Sequence, residues 1–95
     1  MAVLVIGRVP GGDAEMDRQM MQDLGVSPQN PPAGGLARIA GPVEGGYRVI
    51  TVWESQEAWE TFKRERLEPV FQQSGRPQPA FEVSELDMFM VPGTS

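Results

Sequence analysis

Two tryptophans six residues apart, Trp53 and Trp59, offer broad flat faces on which a polycyclic ligand could stack. Phe62 and Arg66 follow Trp59 at helical spacing, so a guanidinium falls on an otherwise apolar stripe. Arg66 could there hold a carboxylate, a phenolate or a developing oxyanion. Tyr47 is the sole tyrosine, and its hydroxyl could orient or protonate a ligand oxygen. Each has a plainer role beside the chemical one. The tryptophans could pack helix against sheet, Arg66 could reach solvent or an acidic neighbour, and Tyr47 could be a cross-strand aromatic beside a turn.

What is missing narrows the chemistry further. The chain has neither histidine nor cysteine. That removes the usual general base, the usual metal and haem ligand, and every Ser-His or Cys-His nucleophile pair. It also removes disulfides, which fits a reducing cytoplasm. No metal site and no cofactor are expected. Met16, Met20, Met88 and Met90 could line an adaptable pocket, or simply fill a core. Glu85 and Asp87 could act as a base if buried, although such acids more often sit at a solvated edge. The pairs Gly11-Gly12, Gly34-Gly35 and Gly45-Gly46 lack phosphate-loop spacing and read as turns.

With 95 residues the chain makes one domain, 1–95. Its net charge of −5 and scattered basic residues argue against nucleic acid and against an acidic membrane surface. The apolar run Met1 to Ile6 lacks the basic flank and cleavage site of a signal peptide. Gly7, Arg8 and Pro10 end it far short of membrane-spanning length.

These residues must be positioned by elements that the pattern spells out. Met1 to Val9 reads as a strand, apolar on both faces at Val3-Leu4-Val5-Ile6. Asp13 caps a first helix, with Met16, Met20 and Leu24 on one stripe and Gly25 as the stop. Ser27 to Gly35 is a Pro/Gly-rich loop. Leu36 to Ala40 is a short strand. A hairpin turn longer than the two-residue type, through Gly41-Pro42 and Glu44 to Gly46, leads to a strand from Tyr47 to Trp53. Ser55 caps a second helix, with a kink or break expected at Pro69 and a stop at Gly75. Phe81 to Val91 is the last strand, and Pro92 to Ser95 a frayed tail.

Strand, helix, hairpin, helix, strand is the split βαβ order. Right-handed crossovers put both helices on one face of a four-stranded sheet. By alternation, Tyr47, Val49, Thr51 and Trp53 form one face and Arg48, Ile50, Val52 and Glu54 the other. Both carry large apolar residues. The face without helices would expose an apolar patch, which sheet-to-sheet pairing of two copies would cover. A homodimer is therefore expected.

The stretch from Gly45 to Phe62, with its strand ending in Trp53-Glu54-Ser55 and the following Glu57-Ala58-Trp59, resembles the dimeric α/β-barrel superfamily. Within it, the chain is most similar to the antibiotic-biosynthesis-monooxygenase-like group of ferredoxin-like fold. Glu65-Arg66-Leu67-Glu68-Pro69 is also similar to small members of that group. The resemblance implies a pocket in each protomer, between sheet and helices, with Trp53 facing it. Parity then adds Thr51, Val49 and Tyr47 to that wall, and Trp59 and Phe62 face them from the second helix. Family members include cofactor-free oxygenases, haem-degrading enzymes, isomerases and polyketide cyclases. Many carry a histidine where this chain has Phe62, and an acid where it has Thr51. Neither histidine-bound haem nor acid–base chemistry at those two positions follows here. What the resemblance leaves is a cofactor-independent monooxygenase, cyclase or isomerase acting on a hydrophobic aromatic or polyketide-like molecule. Trp53 and Trp59 would position the substrate, and Arg66 or Tyr47 would stabilise its anion. The other reading is a non-catalytic dimer that binds a small hydrophobic ligand.

Overall fold

Strand and helix alternate in the expected order: β1 (Val3–Pro10), α1 (Ala14–Leu24), β2 (Gly35–Val43), β3 (Gly46–Trp53), α2 (Gln56–Phe62) and β4 (Ala80–Glu85). A π turn (Lys63–Leu67) and a further helix, α3 (Glu68–Ser74), continue α2. The computed structural model describes residues 1–76 and 78–91. The strands form one antiparallel sheet in the order β2-β3-β1-β4. This is the ferredoxin-like α+β fold.

Local chemistry explains the helix ends. The Asp13 carboxylate accepts from the Met16 N–H at 2.8 Å, and Gly25 closes α1 in the left-handed region at φ 69°. The Ser55 hydroxyl accepts from the Ala58 N–H at 3.0 Å to start α2. Gly75 ends α3 at φ 70°.

Three expectations are corrected. First, β2 runs on through Gly41 and Pro42, and the hairpin turns tightly at Glu44-Gly45, with Val43 opposite Gly46. Proline is tolerated there because β2 is an edge strand, where a missing N–H need not cost a ladder bond. Second, β4 stops at Glu85 and does not reach Val91. Glu85 pairs with Val3, and the Leu86 N–H makes a last bond to the Ala2 carbonyl at 3.0 Å. The ladder has then reached the start of β1, and residues 86–91 leave the sheet. Asp87 and Phe89 are thus not strand residues, while the frayed tail expected at Pro92 to Ser95 lies outside the described residues. Third, the break expected at Pro69 appears one turn earlier, as the π turn, where the Glu68 N–H bonds to the Lys63 carbonyl. Proline lacks the N–H that an α-helix would donate four residues back and crowds that carbonyl. A widened turn just before it relieves the conflict.

The core joins β1 and β3 to both helical segments: Val3, Val5, Leu24, Trp53, Trp59 and Leu67 are buried together. Both helical segments therefore cover the same sheet face. The opposite face carries Leu4, Ile6, Ile50 and Val52, flanked on β2 by Ile39, which is 65% exposed. An ion pair between Arg8 and Glu82 at 3.0 Å marks its other edge.

Candidate functional site

Between the helix-covered face and the helices lies a cavity of about 640 Å³. Its floor is β1 and β3, contributed through Val5, Gly7, Val9, Tyr47, Val49, Thr51 and Trp53. Strand alternation alone puts these side chains on one face, so the wall read from parity is the wall observed. Trp59 and Phe62 close it from α2, Leu67 and Phe71 from the segment beyond, and Met16, Met20 and Leu24 from α1.

An aromatic array fixes the inner end. The Trp53 ring sits 5.7 Å from Trp59 and 5.0 Å from Phe62, both tilted, and Phe81 meets Trp59 edge-on at 5.0 Å. Such tilted and edge-on contacts suit the ring quadrupoles. Phe81 lies directly over its cross-strand partner Gly7, where a Cβ would come within 3.0 Å of the ring. The Trp53 indole N–H donates to the Thr51 hydroxyl at 2.8 Å, so the buried indole keeps a partner without leaving the wall.

Arg66 is not part of this cavity. Its guanidinium donates to the Leu24 carbonyl at the end of α1, and it borders a shallower recess of about 360 Å³ with Glu54, Glu57 and Glu65. The π turn is the reason. It inserts one residue between Phe62 and the next turn, so the stripe that an α-helix would continue at Arg66 continues at the buried Leu67. Of the residues named from sequence, Tyr47, Val49, Thr51, Trp53, Trp59 and Phe62 meet in the cavity, and Arg66 stands outside it.

The cavity also holds ionic groups that no sequence pattern announces. Arg38 on β2 lines it opposite Thr51. Its two terminal nitrogens donate to both oxygens of Asp17 on α1, at 3.0 and 2.5 Å. Both side chains are mostly buried, at 28% and 16% exposure. Arg76 also lines the cavity and donates to Asp23 of α1 at 2.8 Å. Twenty-one positions separate Asp17 from Arg38, so no local spacing announces the pair. The available signal was that Arg38 is a lone charge inside a short apolar strand. Among the described residues, no cluster of three or more acids forms a metal-binding group.

The arrangement is an apolar cavity backed by two buried indoles, with a paired carboxylate and guanidinium opposite Thr51 and a phenol toward the other end of β3. No helix of the described residues is long and apolar enough to cross a membrane.

No protein-family model matches the chain, and no curated protein matches it by sequence. Solved structures do match over almost its whole length. A provisionally assigned antibiotic biosynthesis monooxygenase from Chloroflexus aurantiacus superposes with a TM-score of 0.66 at 14% identity, over 98% of this chain and 100% of that one. Rv0793 from Mycobacterium tuberculosis gives 0.66 at 18% identity, over 93% and 98%. SnoaB from Streptomyces nogalater, a cofactor-independent oxygenase, gives 0.57 at 12% identity, over 98% of each chain. A structure of MhuD with two manganese protoporphyrin IX molecules per active site gives 0.57 at 18% identity, over 96% and 99%. At these identities the likeness establishes the ferredoxin-like fold that the chain shares with antibiotic-biosynthesis-monooxygenase-like structures.

Proposed function

We propose that the cavity takes a flat hydrophobic molecule of aromatic or polyketide-like type, and that the protein acts on it as a homodimeric enzyme without a cofactor. The observation that carries the reading is the cavity itself, about 640 Å³ and lined mostly by apolar side chains, with the buried Trp53 and Trp59 behind its inner wall. Phe62 would meet the rings from α2 with the buried Trp53 and Trp59 backing that wall, Val49 and Thr51 would floor them, and the Tyr47 hydroxyl would bind a ligand oxygen. SnoaB supports this choice among neighbours of the fold, because oxygenation there needs no cofactor. MhuD supports a flat ligand, since that protein holds a planar macrocycle.

In the oxygenase version the substrate, as its anion, reduces dioxygen itself: one ring methylene and O₂ give a carbonyl and water. In the cyclase or isomerase version the same walls guide an enol and exclude water. A second reading, a binding protein without turnover, is favoured by one observation. Arg66, the cation expected to hold the anion, is tied to the Leu24 carbonyl outside the cavity.

Since both tryptophans line the cavity, their fluorescence reports on its occupation. Titration with a hydroxylated tricyclic aromatic should give saturable quenching, and no quenching by any flat aromatic would end the cavity reading. Oxygen uptake coupled to carbonyl formation marks the oxygenase. A rearranged product without uptake marks the cyclase or isomerase, and quenching with the ligand unchanged marks the binding protein. The dimer is supported by the apolar open face around Leu4, Ile6, Ile50 and the exposed Ile39. Sedimentation at micromolar concentration should give twice the chain mass, and a single-chain mass alone would refute it.

A further inference from the structure

We infer that Asp17 and Arg38 form a proton-accepting and anion-holding pair, and that the cavity's ligand therefore carries an acidic phenol or enol hydroxyl. The inference rests on the cavity reading above and names the substrate class of that site.

Among the described residues, four ionisable side chains besides Tyr47 line the cavity: Asp13, Asp17, Arg38 and Arg76. Asp13 is committed to the α1 N-terminus, where its carboxylate caps the Met16 N–H. Arg76 is committed to Asp23, a residue outside the lining, and touches the Met20 sulfur at 3.9 Å. Of these four, only Asp17 and Arg38 are a carboxylate and a guanidinium paired with each other. They come from different elements, α1 and edge strand β2, so neither is a local helix-surface pair. Thr51, the cross-strand partner of Arg38, extends the polar corner, and its hydroxyl already anchors the Trp53 indole. A ring lying over Thr51 would thus meet this corner.

The chemistry follows from charge conservation. A guanidinium has five N–H donors, of which the fork to Asp17 uses two, leaving others for a ligand oxygen. When a hydroxyl-bearing ligand enters, its proton passes to an Asp17 oxygen. The electron pair of the broken O–H bond stays on the ligand oxygen, and Arg38 remains hydrogen-bonded to whichever oxygen is negative. The net charge of the site does not change, which matters in an apolar cavity where creating a new charge is costly. A carboxylate is a weak base, so only an acidic hydroxyl fits: a phenol conjugated to a carbonyl, or the enol of a 1,3-dicarbonyl.

The test uses alizarin, a flat tricyclic phenol whose neutral and anionic forms differ in colour, at a pH where the free dye is neutral. Tryptophan quenching reports binding, and the visible spectrum reports the dye's ionisation. Calorimetry in buffers of different ionisation enthalpy reports protons released. Wild type should bind the dye and turn it to the anion with no net proton release, because Asp17 keeps the proton. Asp17→Asn should give the same colour with about one proton released to the buffer per dye bound. Arg38→Gln should quench without the colour change. Where Arg38→Gln does not fold, Arg38→Lys keeps a cation without the fork and should lower the anionic share while quenching persists. Quenching with the dye left neutral in wild type overturns this inference alone. So does a colour change that survives Arg38→Gln, or a proton released by wild type. Absence of quenching in wild type overturns the cavity reading and this inference with it.

Discussion

The two helical walls of the cavity are held in place by different physics. On the α2 side, Trp59 and Leu67 are buried at 3% and 7% exposure, and three ring contacts lock Trp53, Trp59, Phe62 and Phe81 together. On the α1 side only Leu24 is buried, and Met16 is 42% exposed. What fastens α1 is polar: Asp17 to Arg38, Asp23 to Arg76, and the Leu24 carbonyl to Arg66. The α2 wall is closed by apolar burial, whereas α1 borders the cavity through Met16, Met20 and Leu24, of which only Leu24 is buried. That asymmetry should give α1 the lower resistance to opening.

The largest expected effect breaks the rigid wall. Trp59→Ala removes the ring that joins Trp53 to Phe81 and should cost about 3–5 kcal/mol in urea unfolding. A loss under about 1 kcal/mol, the ordinary effect of a surface change, would show that this wall is not the packed one. A smaller effect separates the polar wall from it. A double-mutant cycle of Asp17→Asn and Arg38→Gln should give a coupling of about 1 kcal/mol, because the pair is mostly but not fully buried. That coupling should shrink with added salt. A salt-independent value would mean that shape, not charge, fastens α1. The smallest effect sharpens the comparison. Asp13→Ala and Ser55→Ala each remove one N-cap and should each cost about 1 kcal/mol. Only Asp13→Ala should also weaken ligand quenching, since it loosens the wall that burial does not hold. Equal effects of both on binding would dissolve the distinction.

How much of this could be read from sequence depended on the range of the interaction. Caps at Asp13 and Ser55 and stops at Gly25 and Gly75 act within a few residues, and all sit where residue type places them. The β3 wall from Tyr47 to Trp53 was legible because alternation is a local rule. The length of β2 was not, since whether Pro42 interrupts a strand depends on the edge position of β2. The end of β4 was hidden for a like reason: Leu86 makes its last bond to Ala2, at the far end of the chain. The pair Asp17–Arg38 exists only once α1 crosses the sheet. Arg66 was misplaced by a rule correctly applied to the wrong helix, because the spacing of four assumes α geometry throughout.

That widened turn has a consequence for how the protein could change over generations. In an α-helix each residue rotates the following chain by about 100°. Removing one residue between Lys63 and Glu65 would restore an unbroken spiral up to Pro69 and keep the leucine now at position 67 on the stripe of Phe62, four residues after it. A single codon lost would leave the apolar lining in place, whereas a turn straightened at unchanged length would bring Arg66 onto it. The lining of such a scaffold is thus set partly by the number of residues in the turn, and the extra residue and the widened turn must come or go together.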